Sequence, residues 1–230
     1  MTGSPRSIAG VEATLPPGAD QERFAGYGVM GQPFTSGHYL AFRHFGASSV
    51  GPGYESVWHR NPDREWVIYS SVAPELSCPR YYGSALTDTR VADISVTWTG
   101  PFALTVEIPD RLVWDVELGR SAATAAMTGL GGVMPSALWR NPAVLSVMSR
   151  VAGPALGVGR VRLRGTTPNG QSFRTNPRML WTVDRTTARI DDADIGPAGP
   201  LAEQTRLGEF WLPQRGMFAV GEAYFEAFGR

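Results

Sequence analysis

The sequence predicts an all-β protein, in which an antiparallel meander closes into a barrel with a helical insertion around residues 119–157. Many segments alternate apolar and polar residues with the period of two that a half-buried strand shows. Three of these segments follow one another through short turns rich in Gly, Pro and Asp, which is typical of a meander. Residues 119–157 lack this alternation and are rich in Ala, Leu and Met, which favours helices.

Length and composition indicate one folded domain. The chain has 230 residues, of which 43% are hydrophobic, so it can bury a sizeable core by itself. We expect a flexible N-terminal arm over residues 1–21 and a single barrel domain over residues 22–230. No apolar run has the length of a signal peptide or of a membrane span, so we expect a cytoplasmic protein.

The charged residues and the cysteine content exclude several classes of chemistry. The formal net charge is zero, so there is no basic excess to support nucleic-acid binding. No lysine occurs in the chain, which excludes Schiff-base catalysis. The single cysteine, Cys78, excludes an intramolecular disulfide and a zinc site built from cysteines.

The strands are predicted from the alternating segments and from the turn residues between them. Asn61-Pro62-Asp63, Gly100-Pro101 and Asn169-Gly170 have compositions that favour tight turns. Residues 191–215 are rich in Asp, Gly and Pro and are predicted to form a long loop. In chain order, the predicted strands are 37–45, 54–60, 64–71, 92–99, 102–108, 111–118, 159–167, 171–176, 178–190 and 216–228.

Closure into a barrel is expected because about ten neighbouring strands laid flat would leave unpaired edges. The alternative is an open sandwich with the helices packed outside it. Within the helical insertion, Pro142 is expected to begin or kink a helix, and Gly131-Gly132 to break one. Four residues lie at helical spacing there: Leu138, Leu145, Met148 and Ala152.

Three stretches resemble the strand pattern of lipocalin-like (calycin) barrels: the hairpin VWHRNPDREWVIYS, the meander around Trp98 and Trp114, and RGTTPNGQSF leading to MLWTV. They are most similar to bacterial lipocalin-like proteins grouped with carotenoid hydratases and some cyclases. The resemblance covers roughly residues 35–118 and 159–228 and matches no catalytic motif. It implies a cavity for an apolar small molecule.

The run Trp58-His59-Arg60 suggests a reactive site at first sight, but strand alternation divides it. Trp58 shares a face with Tyr54, whereas His59 shares the other face with Glu55. We expect Trp58 to point inward, and His59 to lie at the surface beside Glu55. The alternative is the reversed register, in which Trp58 lies outside, under the helical segment.

Two residues are candidates for acid–base catalysis, His44 and Glu222. His44 lies with His38 on an apolar strand face, where a histidine can exchange protons near neutral pH. The alternative is a buried neutral histidine or a solvated strand end. The two histidines lie about 20 Å apart along a strand, too far to share a metal ion. Glu222 lies on an apolar face, where a carboxyl group either has a raised pKa or needs an Arg or Tyr partner.

The remaining candidates are expected to bind a ligand. In CPRYYG, Arg80, Tyr81 and Tyr82 are predicted to clamp an anionic or carbonyl group at the barrel mouth, whereas Cys78 is expected to be a small buried apolar residue. The aromatic residues fit either a cavity lined with rings or plain core packing. The predicted ligand-binding residues are His38, Phe42, Trp58, Arg80, Tyr81, Tyr82, Trp98, Trp114, Trp181 and Tyr224.

Three functions fit these observations. The first is a barrel that binds an apolar isoprenoid, steroid or polyketide-like molecule without a cofactor. The second is a cofactor-independent isomerase, hydratase or cyclase on the same scaffold, with His44 or Glu222 as acid and base. The third is a β-sandwich interaction module whose contact face is the helical segment 119–157. No nucleophile elbow, dinucleotide-binding loop or metal-binding motif occurs in the sequence.

Overall fold

A computed structural model provides the structure of the chain and describes residues 3–18 and 20–228. The helices are α1 (Pro5–Ala9), α2 (Pro79–Tyr82), α3 (Ala122–Val133) and α4 (Pro142–Leu156), with 3₁₀ turns at Pro74–Leu76, Gly83–Ala85 and Leu138–Arg140. The strands are β1 (Gln21–Pro33), β2 (Tyr39–Ser48), β3 (Tyr54–Arg60), β4 (Trp66–Ser70), β5 (Asp88–Val91), β6 (Ser95–Gly100), β7 (Ala103–Ile108), β8 (Leu112–Gly119), β9 (Arg164–Thr166), β10 (Ser172–Ile190), β11 (Ala193–Asp194), β12 (Arg206–Leu207), β13 (Phe210–Trp211) and β14 (Met217–Glu226).

Twelve of the described strands build one curled, barrel-like sheet, in the order β5-β4-β3-β2-β1-β14-β10-β8-β7-β6, with β9 and β11 attached to β10, and β12 and β13 form a separate pair. The predominantly β class and the curled sheet agree with the sequence prediction, but a closed lipocalin-like barrel is not seen. The edge strands β5 and β6 do not pair with each other in the described part of the chain. One pair, β4 with β5, is parallel, because the connection through α2 returns the chain in the same direction.

The predicted hairpins and the meander β6-β7-β8 are present with antiparallel register. Two predicted strands, 171–176 and 178–190, form the single strand β10. Its register shifts between Pro177 and Met179, so a bulge accommodates the proline that separated the two predictions. The loop predicted at 191–215 contains the short strands β11, β12 and β13.

The central strand β1 was not predicted, and it lies closest to β2 where it carries glycines. A Cβ atom at Gly28 would collide with the carbonyl oxygen of Phe42, and one at Gly26 with that of His44. The β1–β2 register is irregular over the same residues. Glycine is therefore required for this close approach between the two strands.

The curled sheet packs a hydrophobic cluster against each of its faces. One hydrophobic cluster, called core A, includes Val29, Phe42, Val57, Trp114, Trp181 and Phe218. A second cluster, called core B, includes Phe24, Tyr54, Trp58, Tyr81, Tyr82 and Phe225. Successive residues of β3 alternate between the two cores, so this strand has no solvent-facing side.

The helical insertion is present as predicted, with its break displaced. Helix α4 begins at Pro142, and the Asn141 side chain accepts hydrogen bonds from the first two free backbone N–H groups of the helix, as an N-cap does. Helix α3 continues through the glycine pair to Val133. Gly131 is needed for packing instead, because its Cβ would lie 2.7 Å from the carbonyl oxygen of Arg178.

The N-terminal segment includes α1, which lies against the sheet. Ile8 packs on core A, and the backbone N–H of Arg6 donates to the carbonyl oxygen of Pro101 at 3.2 Å. The flexibility expected of residues 1–21 stays a prediction, as does the single-domain division. None of the described helices has the length and apolar character needed to cross a membrane.

Candidate functional site

An apolar cavity of about 180 Å³ lies between core B and the helices α3 and α4. The helices contribute Met127, Met148, Ala152 and Leu156 to its wall, and the sheet contributes small residues such as Ala219. The small side chains on the sheet and the two flexible methionines leave the space that the cavity occupies.

Arg43 is a buried cation at the cavity wall. Its side chain is 5% exposed, and it donates to the carbonyl oxygens of Val29 (2.6 Å), Phe42 (2.9 Å) and Met30 (3.0 Å). Burial lowers the pKa of Arg43. No described carboxylate forms an ion pair with it. Because a guanidinium has five N–H donors, two remain without a protein acceptor.

The residues around Arg43 add further donors that lack acceptors. The guanidinium carbon lies 5.2 Å from the centre of the Trp58 ring, and the Trp58 indole N–H has no hydrogen-bond acceptor. Tyr82 also lines the cavity, and burial raises its pKa. No described residue hydrogen-bonds with the Tyr82 hydroxyl. This end of the cavity is therefore rich in donors.

Cys78 lines the same cavity without a catalytic partner. Its sulfur lies 3.4 Å from the Tyr54 hydroxyl and 3.5 Å from the Ser56 hydroxyl. No histidine lines the cavity in the described part of the chain, so no base is placed to activate the thiol. This placement agrees with the expected small buried residue.

Four of the predicted site residues line the cavity: Trp58, Tyr81, Tyr82 and Glu222. The others lie elsewhere. Phe42, Trp114 and Trp181 are buried in core A, and Trp98 packs against it. The structure does not bring these four rings to the cavity, because they point from the opposite face of the sheet.

Arg80 and Tyr81 do form a clamp, and it holds a carboxylate of the protein. Arg80 Nε and Nη2 donate to the Glu22 carboxylate at 2.9 and 2.6 Å, and the Tyr81 hydroxyl donates at 2.5 Å. The pKa of Glu22 is lowered, since these hydrogen bonds outweigh the opposing effect of burial. Glu22 lies in the strand that was not predicted, so the sequence offered no partner for the pair.

Glu222 is a paired carboxylate on the cavity wall. It accepts hydrogen bonds from Asn176 Nδ2 (3.0 Å), Arg178 Nη2 (3.2 Å) and the Tyr224 hydroxyl (2.8 Å). Burial, reinforced by the bond to Glu222, raises the pKa of Tyr224 to about 12. The structure thus shows the paired alternative for Glu222, and its catalytic role stays a prediction.

The three histidines form two pairs outside the cavity. His44 Nδ1 lies 2.9 Å from Glu55 Oε1, and its ring stacks on Tyr27 at 4.6 Å. His38 Nδ1 lies 3.0 Å from His59 Nε2. The catalytic and ligand-binding roles of His44 and His38 stay predictions.

The expectation that His59 lies at the surface beside Glu55 is wrong. His59 is 6% exposed, because core A covers that face of β3. In the β2–β3 register Glu55 lies opposite His44, while His59 lies opposite Leu40 and diagonal to His38. Glu55 is therefore paired with His44 across the two strands, and His59 is paired with His38.

We expect the buried His59 to weaken the fold in acid. Burial, with the nearby His38, lowers the pKa of His59 from its ordinary value of 6.5 to about 4. As the pH falls from 6.5 to 4, the unfolded chain takes up this proton before the folded chain does. The free energy of unfolding should therefore decrease by up to about 3 kcal/mol over this window.

Urea unfolding at pH 7 and pH 5 measures this effect, with His59→Gln as the matched variant. Glutamine can still hydrogen-bond with His38 but does not titrate. The wild-type protein should lose more stability than the variant between the two pH values. Equal losses would show that His59 does not couple folding to pH.

Arg43 is the main residue that sequence reasoning missed. Strand alternation puts Arg43 on the face opposite His38 and His44, and the sequence prediction considered only the face with the histidines. The signal was available, because the same strand carries Tyr39, Ala41 and Phe45 beside Arg43. A lone arginine on an apolar strand face needs a partner when both faces are buried.

No family model and no curated protein matches this chain. Among solved structures, it is similar to an acetoacetate decarboxylase from Legionella pneumophila subsp. pneumophila str. Philadelphia 1, with 10% identity, a TM-score of 0.39, and coverage of 95% of this chain and 88% of the other. A structure described as a structural study of acetoacetate decarboxylase has 8% identity, a TM-score of 0.44, and coverage of 98% and 92%.

Proposed function

We propose that this protein binds a small molecule that has an apolar body and a hydrogen-bond acceptor, such as a carboxylate or carbonyl group, at one end. The observation that carries this proposal is the buried Arg43, which lines an apolar cavity with unused donors and has no carboxylate partner among the described residues. A buried charge is costly unless it is paired. An acceptor on a ligand would supply the missing partner.

The cavity volume limits the ligand class. An engineered protein cavity of about 150 Å³ binds benzene, and this cavity is only slightly larger, at about 180 Å³. The enclosed part of the ligand is therefore the size of an aromatic ring or a short isoprenoid unit. A steroid or a long polyketide would require α3 and α4 to move, with Met127 and Met148 the most adaptable wall residues.

Catalysis on this scaffold is the second candidate, and it is favoured by the position of Glu222 on the cavity wall. In an isomerase, hydratase or cyclase reaction, Glu222 would exchange a proton with the bound molecule while Arg43 polarises its acceptor. Comparing turnover by wild-type protein and Glu222→Gln discriminates binding from catalysis. Unchanged turnover in the variant would exclude this role.

The interaction-module hypothesis retains one supporting observation. Several large apolar side chains of the helical segment are exposed: Leu130, Val133, Leu138, Val147 and Val151. The cavity, however, gives the protein an apolar binding site that a contact module does not need. The small-molecule function is therefore preferred.

Tyr82→Phe tests the proposal with little risk to the fold. The variant loses only a hydroxyl that has no hydrogen-bond partner among the described residues, so its free energy of unfolding should be unchanged or higher by up to about 1 kcal/mol. Its affinity for geranic acid, an isoprenoid carboxylate, should fall about tenfold because one hydrogen bond to the ligand is lost. Isothermal titration calorimetry measures this change.

Tyr54→Phe is the matched control, since its hydroxyl already contacts Cys78, and it should bind geranic acid as the wild type does. Native mass spectrometry of the protein purified from its own host then identifies the natural ligand. If wild-type protein binds neither geranic acid nor geraniol and carries no small molecule from its host, the proposed function is wrong.

A further inference from the structure

A second, polar depression opens beside the apolar cavity and is strongly basic. This groove, of about 710 Å³, is lined by four arginines but only one acidic residue, Glu209. The arginines are Arg150, Arg160, Arg162 and Arg206. The whole chain has no net charge, so the excess of positive charge is local to this surface.

Most of this charge is not neutralised by the protein. Arg162 pairs with Glu209, whereas Arg150, Arg160 and Arg206 form no ion pair with any described carboxylate. The guanidinium carbons of Arg160 and Arg206 lie 5.0 and 5.5 Å from the centre of the Trp211 ring. Contact with one indole holds these two cations near each other without neutralising them.

The groove and the cavity are adjacent and share part of their walls. Val161, Arg162 and Trp211 line both of them. In β13, successive side chains separate the two spaces. Phe210 lies 6.3 Å from the Trp58 ring and 6.0 Å from the Tyr82 ring, while Trp211 contacts the groove arginines. The two spaces therefore adjoin each other at β13.

We infer that the groove binds a diphosphate group of the same ligand whose apolar part enters the cavity. This inference rests on the proposed function and names its substrate class. Guanidinium groups bind phosphate oxygens through paired hydrogen bonds. A single carboxylate would satisfy one of the three unpaired arginines, whereas a diphosphate carries enough charge and acceptor oxygens for all three. Small coenzyme A thioesters have this chemistry together with a carbonyl acceptor for Arg43, whereas short prenyl diphosphates have the diphosphate and the apolar chain alone.

Calorimetry with pairs of compounds tests the inference. Geranyl diphosphate is compared with geraniol, and hexanedioyl-coenzyme A with the hexanedioyl thioester of N-acetylcysteamine, so that the members of each pair differ in the phosphate-bearing head. At least one diphosphate compound should bind tenfold or more tightly than its headless partner. Raising the salt concentration should lower the affinity for that diphosphate compound and leave the affinity for geraniol unchanged. Whichever of the two diphosphate compounds binds with the higher affinity shows whether the head group belongs to a prenyl diphosphate or to a coenzyme A thioester.

The double variant Arg160→Gln/Arg206→Gln should lose at least tenfold of the affinity for that compound while its affinity for geraniol stays the same. Arg164→Gln is the matched control, because Arg164 is an exposed arginine nearby that does not line the groove. Equal affinities within both pairs, or a double variant that binds as the wild type does, would overturn the inference.

The two proposals fail in different ways. If geraniol and geranic acid bind but the diphosphate head does not increase the affinity, the proposed ligand binding in the cavity stands and the assignment of the groove is wrong. If inorganic pyrophosphate binds through Arg160 and Arg206 but no apolar compound binds, the groove holds phosphate independently of the cavity. That result would overturn both the shared ligand and the proposed function.

Discussion

Replacing Gly28 with alanine is expected to prevent stable folding, with a loss of more than about 4 kcal/mol in the free energy of unfolding. The new Cβ would collide with the carbonyl oxygen of Phe42. That atom belongs to the backbone of a neighbouring strand, so it cannot move aside as a flexible side chain would. Since β1 pairs with both β2 and β14 in the middle of the sheet, relief of the clash would separate the two halves of the sheet.

Gly129→Ala in α3 is the matched control. No atom lies within 4 Å of the Cβ position there. Alanine in a helix is more stable than glycine by about 1 kcal/mol. This variant should therefore be slightly more stable than the wild type. Urea unfolding, followed by circular dichroism and tryptophan fluorescence, measures both variants. A Gly28→Ala protein within about 1 kcal/mol of the wild type would show that β1 and β2 do not approach so closely.

The same glycines explain why the sequence predicted most strands but not β1. In β6, β7 and β8, the more exposed and the more buried residues alternate along the strand, so apolar and polar residues alternate and the pattern is visible. In β1, the glycines at 26, 28 and 31 replace the side chains that would form such a pattern. Their role is to allow contact with a strand distant in the fold, and that requirement has no local signature.

The site was only partly predictable for a related reason. Tyr82 and Trp58 were assigned to a ligand site from local patterns, and both line the cavity. The alternation rule correctly put Trp58 and His59 on opposite faces, but it could not show that both faces of the strand are buried. The partners of Arg80 and Glu222 come from distant strands, so only the folded chain could show them.

Replacing Arg43 with methionine should destabilise the fold and also remove the preference for an acidic ligand. The β1 register shifts between Val29 and Gly31, and Arg43 donates to the carbonyl oxygens of Val29 and Met30 at this irregularity. Without the guanidinium, these buried acceptors lose their partner. We expect a loss of about 3 kcal/mol, because removal of a costly buried charge offsets part of the lost hydrogen bonding.

Ligand preference separates the structural role of Arg43 from its binding role. Wild-type protein should bind geranic acid about tenfold more tightly than geraniol, since the carboxylate forms a charge-assisted hydrogen bond with Arg43. Arg43→Met should bind the two compounds equally when circular dichroism shows it to be folded. Arg43→Lys keeps the charge but not the paired donors, so it should retain part of the preference and part of the stability. A folded Arg43→Met protein that still prefers geranic acid would show that Arg43 only supports the strand, and that the acceptor of the ligand binds elsewhere.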